Sequence, residues 1–478
     1  MAAIQPAKLL RSASHVLPGR LLVTELFFEV SRNHANPQEG SLTLFGRSVR
    51  KNERPIIPPS PSEAAAKAQL PYLVYLEGGP GFGNREPQHH PLTRIALDRG
   101  YQVLYLDYRG TGLSTPINAS LVLAQGNADD QARFLKHFRA PSIVRDLEAV
   151  RLTLTEHFDQ DKKPWSIVGQ SYGGFVALTY LSKYPQGLRE AFITGGLAPI
   201  LRTADEVYTA TYRKLVERNQ AYYRKYPGDV SLVRRLCDHI SRTGGDEGIP
   251  LPSGGRLTVW LLLTLGINFG AHGGLDDVHS LLLRLATDLD QFGTFTRASL
   301  SAFESRIPFD SHPIYAILHE AIYNTSSTCA HPTAWSAQRV GRSFPAFFPW
   351  MRDPAFLQST PPEQPLFFAG EMIFPFHFDG CTGPELKLMA PAAEKLAHET
   401  EWEEDLYDVD QLRRNEVPVY AVSYVDDMYV DFEFARETAR VVKGIKVRET
   451  NAWYHDAARS RADEVYGTLF SLRDDEID

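Results

Sequence analysis

Short apolar runs alternate with amphipathic stretches over the first 200 residues, and this pattern predicts an α/β core. Residues 21–31 and 41–49 cluster apolar side chains around a turn-rich segment, which predicts an antiparallel hairpin. Buried strands are predicted at 72–76, 101–106, 165–168 and 188–195, with helices at 91–99 and 143–158 between them. Strands that alternate with helices indicate a mostly parallel sheet covered on both faces.

From about residue 200 the pattern changes to helical periodicity without buried-strand runs. The predicted helices of this region lie at 204–225, 231–241, 258–269, 278–289 and 313–323. Beyond it the pattern predicts strand, helix, strand and helix at 417–424, 431–442, 446–448 and 457–472. We therefore predict an α/β core in two parts, residues 1–199 and 411–478, separated by a helical cap insertion at 200–410.

Length, charge and cysteine content narrow the class of protein. At 478 residues the chain exceeds the roughly 250–300 residues that one hydrophobic core usually supports. Hydrophobic residues at 43% and charged residues at 23% are typical of soluble globular proteins. A formal net charge of −8 argues against nucleic acid as a partner. Cys237, Cys329 and Cys381 have no metal-ligand spacing, so we expect no metal site.

The chain shows no pattern typical of a membrane span or an export signal. Its longest uncharged apolar stretch, residues 257–269, is too short to cross a bilayer. Lys8 and Arg11 are not followed by a long apolar region before Arg20, so a secretory signal is not expected. A transit peptide, favoured by the lack of acidic residues before Glu25, remains a weaker alternative. We expect a cytoplasmic location.

Residues 169–174 read Gly-Gln-Ser-Tyr-Gly-Gly and lie between a predicted strand and a second apolar stretch at 175–178. Gly-x-Ser-x-Gly in this context is typical of a nucleophile elbow, which makes Ser171 the predicted nucleophile. Glycines leave room for the sharp turn, and the next helix points its N–H groups at the serine. Because the bare pattern also arises by chance in a chain with 34 glycines, a structural turn remains the alternative.

An activated serine needs a base and a carboxylate that orients the base. In such folds both follow late strands, in the order serine, acid, histidine. His455 lies in the loop after the last predicted strand and is the predicted base, with a surface histidine as the alternative. Asp426 and Asp427 both follow the strand at 417–424. We predict Asp427, which precedes an apolar step into the next helix, whereas Asp431 suits that helix's N-cap.

A glycine-rich loop, Glu-Gly-Gly-Pro-Gly at 77–81, directly follows the strand at 72–76. Backbone N–H groups of such a loop can approach a substrate carbonyl, so Gly79 is a predicted oxyanion donor, with Tyr172 as the second. An ordinary tight loop is the alternative. The turn at 107–114 lacks Gly-Lys-Ser/Thr and is predicted to be structural, without a phosphate site.

Three motifs together resemble the proline iminopeptidase (prolyl aminopeptidase) family of α/β-hydrolases. They are Gly-Gly-Pro-Gly at 78–81, Asp-Tyr-Arg-Gly-Thr-Gly-Leu-Ser at 107–114 and Gly-Gln-Ser-Tyr-Gly-Gly at 169–174. The resemblance spans about residues 20–478. It implies an α/β-hydrolase fold with a helical cap, a Ser/Asp/His triad, and neither metal nor cofactor. The implied activity is release of an N-terminal residue, usually proline, from peptides with a free N-terminus.

Two positions depart from that family's pattern. Its glycine-rich loop commonly begins with histidine, whereas this chain has Glu77, a possible negative charge near the oxyanion hole. Its histidine loop commonly reads Gly-His, whereas this chain has Tyr454, His455 and Asp456.

An aminopeptidase must also bind the free ammonium group of its substrate, and carboxylates in the cap are suitable partners. Glu320 and Glu371 lie in apolar segments that resemble the family's two amine-binding stretches. A structural ion pair or a helix-surface position remains the alternative for each. Tyr323 and Phe374 would suit a pyrrolidine ring, although a plain cap core explains both almost as well.

The sequence therefore predicts a cytoplasmic serine aminopeptidase with a preference for proline, acting through an acyl-enzyme. An esterase or amidase that uses the same triad on a small acyl substrate is the main alternative. A binding module on an inactive hydrolase scaffold is disfavoured, because Ser171, Asp427 and His455 are all present. The oligomeric state stays open.

Overall fold

The computed structural model describes residues 4–53, 59–325 and 331–475. Its main feature is a nine-stranded sheet with the order β1-β2-β3-β5-β4-β6-β7-β10-β11, accompanied by a separate two-stranded hairpin, β8-β9. The strands are β1 (Lys8–Leu17), β2 (Leu21–Ser31), β3 (Ser41–Lys51), β4 (Tyr72–Leu76), β5 (Gln102–Leu106), β6 (Trp165–Gln170), β7 (Leu188–Thr194), β8 (Ile249–Pro250), β9 (Arg256–Leu257), β10 (Val419–Tyr424) and β11 (Ile445–Thr450).

The sheet is mostly parallel, as the sequence predicts. Strands β4 to β7, β10 and β11 run parallel, while β1, β2 and β3 form an antiparallel extension beside β5. Every residue of β4, β5 and β6 is buried, as expected for central strands covered by helices on both faces. The pairing of β2 with β3 confirms the predicted hairpin, and the mostly parallel sheet confirms the predicted α/β fold class.

Helices cover the sheet and form the inserted region. Those before the insertion are α1 (Pro61–Ala68), α2 (Leu92–Asp98), α3 (Ala119–Leu123), α4 (Ala128–Lys136), α5 (Ala140–Leu154) and α6 (Tyr172–Lys183). Those between β7 and β10 are α7 (Ala204–Lys225), α8 (Asp229–Gly244), α9 (Val259–Leu262), α10 (Gly274–Phe292), α11 (Arg297–Glu304), α12 (Pro313–Leu318), α13 (Ser336–Gly341), α14 (Phe356–Ser359), α15 (Pro384–Leu388), α16 (Ala390–Ala397) and α17 (Val409–Arg413). The last three are α18 (Phe432–Val441), α19 (Ala457–Ser460) and α20 (Ala462–Asp474).

Local signals account for several element boundaries. Helix α7 begins where Thr203 and Glu206 form a capping box, and its bounds match the predicted helix. The predicted helix at 258–269 is instead α9 followed by a 3-10 segment, Leu263–Gly270. The predicted final helix breaks into α19 and α20 at Arg461, whose backbone, with φ −135° and ψ 38°, departs from the helical conformation.

Strand β1 is an element that the sequence pattern did not predict. Nine of its ten residues are exposed, so the segment lacks the alternation of buried and exposed positions that marks a half-buried strand. It forms because its backbone pairs with β2 from Lys8 opposite Glu29 to Leu17 opposite Leu21. This edge strand is therefore formed by pairing with β2, which the hydrophobic pattern of the segment does not predict.

The inserted region adds no strand to the main sheet within the described ranges; its only strands there are the short β8 and β9. The predicted division at residues 199 and 410 stays a prediction. No described helix combines the length and apolar character needed to cross a membrane. Cys237 and Cys381 are buried free thiols, and Cys329 lies outside the described residues.

The topology brings four loops to one edge of the sheet. Because β4, β6, β10 and β11 run in the same direction, their carboxyl ends lie at the same edge. The segments that follow them carry the glycine-rich loop, Ser171, Asp427 and His455, respectively. The fold thus brings predicted catalytic residues that are far apart in the sequence to the same edge of the sheet.

Candidate active site

Ser171 occupies a sharp turn between β6, which ends at Gln170, and α6, which begins at Tyr172. Its backbone has φ 56° and ψ −123°, a left-handed conformation that is strained for a residue with a side chain. Close packing explains why residue 173, two positions further on, is a glycine. A Cβ atom on Gly173 would lie 1.9 Å from the carbonyl oxygen of Leu76, so any side chain there would push α6 away from β4. The geometry is that of a nucleophile elbow.

The hydroxyl of Ser171 begins a continuous hydrogen-bonded chain. Its Oγ lies 2.8 Å from His455 Nε2, and His455 Nδ1 lies 2.8 Å from Asp427 Oδ2. The other oxygen of Asp427 accepts hydrogen bonds from the backbone N–H groups of Tyr429 and Val430. Such a chain can take a proton from the serine while holding the imidazole in one tautomer.

Burial and neighbouring carboxylates act in opposite directions on His455. Burial by itself lowers the pKa of His455, but Asp427 and, more weakly, Glu371 raise it, and the net pKa lies above its usual value. Asp427 itself is buried, with 1% of its side chain exposed. A buried carboxylate at hydrogen-bond distance is suited to stabilise the imidazolium that forms when His455 accepts a proton.

The structure separates the three aspartates that follow β10. Asp427 contacts His455, whereas Asp426 is half-buried, with 46% of its side chain exposed, and lies 3.5 Å from Lys214 Nζ in an ion pair. Asp431 accepts a hydrogen bond from the backbone N–H of Phe434 and caps α18. Of the three carboxylates, only Asp427 is placed against the imidazole.

The glycine-rich loop packs directly on the nucleophile. A Cβ atom on Gly78 would lie 2.7 Å from the side-chain oxygen of Gln170 and 3.2 Å from Cβ of Ser171. The next residue, Gly79, has φ +123°, a conformation that favours glycine. Tyr172 is the first residue of α6, so its N–H has no acceptor within the helix. The two predicted oxyanion donors therefore belong to segments that meet at Ser171.

Glu77, the first departure from the family pattern, is compensated by a cation. One carboxylate oxygen accepts from the backbone N–H of Gly78 at 2.8 Å and lies 2.9 Å from Arg459 Nη2. The Glu77 side chain is buried, and Arg459 belongs to α19, directly beyond the His455 loop. A buried carboxylate paired in this way brings no uncompensated negative charge to the loop.

Glu371 is the predicted cap residue whose carboxylate interacts electrostatically with the triad residues His455 and Asp427. It is half-buried, and the Tyr315 hydroxyl donates a 2.7 Å hydrogen bond to its carboxylate. Burial raises the pKa of Glu371 to about 7, with His455 and Tyr315 opposing and Asp427 adding to the rise. Within the described ranges, no cationic side chain lies within 4.0 Å of this carboxylate. Glu371 can therefore accept a cationic group.

Glu320 has a different set of partners from those predicted. Its two carboxylate oxygens accept from the backbone N–H groups of Ser336 and Ala337, at 3.1 and 2.9 Å, where α13 begins. Burial raises the pKa of Glu320, and these hydrogen bonds act against the rise. The contacts anchor the N-terminus of α13 and do not bring Glu320 to the triad. Its contact with substrate stays a prediction.

The two aromatic residues predicted to contact substrate occupy different surroundings. The ring of Tyr323 lies 6.1 Å from that of Phe175 and 5.9 Å from that of Tyr208. Burial and, after it, the charge of Glu371 raise the pKa of Tyr323. Phe374 is buried in an aromatic cluster, with Phe376 at 5.2 Å and Trp350 at 5.8 Å.

Three residues of the site were missed by sequence reasoning: Tyr315, Tyr429 and Arg459. Tyr315 donates to Glu371, Tyr429 packs edge-on against His455 at 4.6 Å, and Arg459 neutralises Glu77. Tyr429 stands two residues after Asp427, a spacing that could have indicated it. Tyr315 and Arg459 carry no comparable signal, because their partners are far away in sequence.

Comparison with known proteins identifies the family of the chain. Residues 71–235 match the family model of the alpha/beta hydrolase fold. A proline iminopeptidase named aneH, from Aspergillus aculeatus, is 38% identical over 475 residues, which cover 99% of this chain and 99% of that protein. A proline iminopeptidase from Aeromonas sobria is 39% identical over 450 residues, which cover 94% of this chain and 96% of that protein.

A solved structure of a proline iminopeptidase from Mycobacterium smegmatis is 12% identical, with a TM-score of 0.41 and coverage of 91% of this chain and 95% of that one. The family of the chain is assigned from the two relatives and from the sheet topology. With 38% and 39% identity over nearly full length, the chain belongs to the proline iminopeptidase family of α/β-hydrolases.

Proposed function

We propose that the protein is a serine aminopeptidase that releases an N-terminal residue, preferably proline, from peptides with a free N-terminus. The observation that carries this proposal is the combination of two features. Ser171 is hydrogen-bonded to His455 and, through it, to Asp427, and the charges of these two partners also act on Glu371, a carboxylate with no cation within 4.0 Å among the described residues. The names of the relatives at 38% and 39% identity support the same activity.

In the proposed mechanism, Ser171 Oγ attacks the carbonyl carbon of the N-terminal residue while His455 Nε2 takes the hydroxyl proton. Asp427 keeps the imidazole oriented and stabilises its positive charge. The backbone N–H groups of Gly79 and Tyr172 stabilise the negative oxygen that forms. His455 then donates its proton to the leaving amine, and water, activated by the same imidazole, releases the acyl group and restores Ser171.

The carboxylate of Glu371 is proposed to hold the substrate ammonium. An N-terminal proline carries a secondary ammonium with two N–H donors, which suits a carboxylate that has spare acceptor positions. Because the pKa of Glu371 is near 7, a bound cation would also draw the carboxyl into its ionised form. Tyr323 and Phe374 are the proposed aromatic contacts of the pyrrolidine ring, and Glu320 supports the cap by anchoring α13.

Three substrates test the proposal together: a proline anilide, the N-acetylated proline anilide and a short-chain ester. We expect the free-amine anilide to be cleaved at least about 30-fold faster in kcat/KM than its acetylated form, because acetylation removes the cation. Equal or faster cleavage of the acetylated substrate, together with fast ester hydrolysis, would instead support the esterase or amidase alternative.

We also propose a cytoplasmic location and a domain division close to residues 199 and 410. The location is supported by the free thiols of Cys237 and Cys381, which a reducing compartment maintains. The division is supported by the change from sheet to helices after β7. Cell fractionation tests the location, and limited proteolysis around residues 199 and 410 tests the division.

A further inference from the structure

The cap segment 267–272 contacts both loops that carry the proposed acid and base of the triad. We propose that this segment positions Asp427 and His455 for the reaction, with His272 and Asp456 as positioning residues. The inference rests on the proposed catalytic role of the triad. It assigns to the cap a part in the rate of the chemical step, in addition to substrate selection.

The first link joins the cap to the residue that follows His455. The backbone N–H of His272 donates to Asp456 Oδ1 at 2.9 Å, and His272 Nδ1 lies 2.6 Å from the same oxygen. Ser460 Oγ lies 3.0 Å from this ring nitrogen. About a quarter of each of the two paired side chains is exposed, so the pair is partly shielded from water. Asp456, the residue after His455, thus fixes the His455 loop to the cap.

A second link reaches the loop of the acid. The Tyr429 hydroxyl donates to the carbonyl oxygen of Ile267, and the Tyr429 N–H donates to Asp427 Oδ1 at 2.8 Å. The same ring packs edge-on against His455. A Cβ atom on Gly270 would lie 2.3 Å from the Tyr429 ring, so a glycine is needed for the cap segment to approach. Tyr429 therefore touches the acid, the base and the cap at once.

A third link anchors the segment itself. Arg218 of α7 donates from Nε and Nη2 to the carbonyl oxygen of Phe269, at 3.1 and 2.8 Å. Its guanidinium lies 4.8 Å above the ring of Tyr454, the residue that precedes His455. The ring of His272 lies 5.0 Å from that of Tyr454. Both neighbours of His455 in the sequence are thus held by the cap.

These links matter because the acid and the base stand on separate loops, after β10 and β11. Transfer of a proton from Ser171 requires the imidazole at the right distance and angle, and a misplacement of about 1 Å can cost roughly 100-fold in rate. Residues 267–272 connect both loops to one segment of the cap. Loss of a tie should slow the chemical step on every substrate, whereas a contact that only supports the cap should chiefly weaken substrate binding.

The test uses Asp456→Ala and His272→Ala, with Asp456→Asn as the conservative variant. We expect the two alanine variants to lower kcat about 10- to 100-fold on both the proline anilide and the short-chain ester, with KM within about twofold of wild type. Labelling of Ser171 by a fluorophosphonate should slow in parallel. Asp456→Asn retains an acceptor for the His272 N–H and should restore most of the rate.

A matched control is His279→Ala, since His279 Nδ1 and Asp229 form a similar pair within the cap at 2.9 Å. Its kcat should stay within about twofold of wild type. The inference is overturned if the His272 and Asp456 variants match this control in kcat, or if they raise KM alone. If Asp456→Ala does not fold, His272→Ala decides the matter. Ester hydrolysis that survives Ser171→Ala would instead refute the proposed function, so the two failures are distinguishable.

Discussion

In the core, hydrogen bonds connect the hydroxyl of Ser171 to the imidazole of His455 and this imidazole to the carboxylate of Asp427. In the cap, by contrast, the carboxylate of Glu371 accepts from the Tyr315 hydroxyl, and no cation among the described residues lies within ion-pair distance. A self-contained core site can act on any acyl group that reaches it. A carboxylate without a cation gains most from a positively charged ligand. The comparison leads us to expect that the core carries the chemistry and the cap the selectivity, and mutations can test the two separately.

The largest effect is expected from the core. Ser171→Ala should lower kcat by several orders of magnitude on the proline anilide and on the ester alike, because the remaining rate comes only from binding and the oxyanion hole. Steady-state kinetics on both substrates measures it, and circular dichroism checks that the fold is retained. Activity above about 1% of wild type on either substrate would contradict the assignment of the nucleophile.

The carboxylate of the core comes next. Asp427→Asn should lower kcat by about 10⁴-fold on both substrates, since the amide favours the wrong imidazole tautomer. Asp426→Asn is the matched control and should change kcat only slightly, because Asp426 is half-exposed and pairs with Lys214 and not with the imidazole. If Asp426→Asn lost more activity than Asp427→Asn, Asp426 and not Asp427 would be the acid of the triad.

The cap prediction separates the two regions most sharply. Glu371→Gln should lower kcat/KM for free-amine proline substrates by roughly 30- to 1,000-fold, which corresponds to about 2–4 kcal/mol of lost interaction with the ammonium. Hydrolysis of the neutral ester should hardly change, because the triad stays intact. The ratio of the two activities is the quantity to report. An equal loss on both substrates would mean that Glu371 only supports the structure.

Glu371→Gln should lower activity but increase the stability of the folded protein at high pH. Between pH 4.5 and about 7 the unfolded chain releases the Glu371 proton before the folded protein does, so burial of this group costs stability as the pH rises. Glu371→Gln should therefore raise the free energy of unfolding at pH 8 by roughly 1–3 kcal/mol and have little effect at pH 4.5. Urea denaturation at the two pH values measures the difference. A destabilised variant at pH 8 would show that the carboxylate has a stabilising partner.

The smallest effect is expected at the other cap carboxylate. Glu320→Gln keeps one oxygen acceptor at the start of α13 and should cost about 1 kcal/mol of stability, with similar small losses on both substrates. Thermal unfolding and the activity ratio measure the two parts of this prediction. A loss confined to free-amine substrates would show that Glu320 binds the ammonium, as the family resemblance implies.

Much of the fold and of the site could be predicted from sequence because local patterns determine them. Loops after parallel strands converge on one sheet edge, so the positions of Ser171, Asp427 and His455 followed from the predicted strands. The pairs Tyr315–Glu371 and Glu77–Arg459 could not be predicted. Their members are 56 and 382 residues apart in the sequence, and only tertiary packing brings them into contact. The same holds for His272 and Asp456, which are 184 residues apart.

The ion pair between Glu77 and Arg459 also has a consequence for the history of the family. Where relatives carry histidine at the first position of the glycine-rich loop, no carboxylate requires a cation from α19, and position 459 is free to vary. In this chain an exchange at either position alone would leave one charge without its counterpart next to the oxyanion loop. Evolution is therefore expected to replace the two residues together, and an alignment of relatives should show covariation between positions 77 and 459.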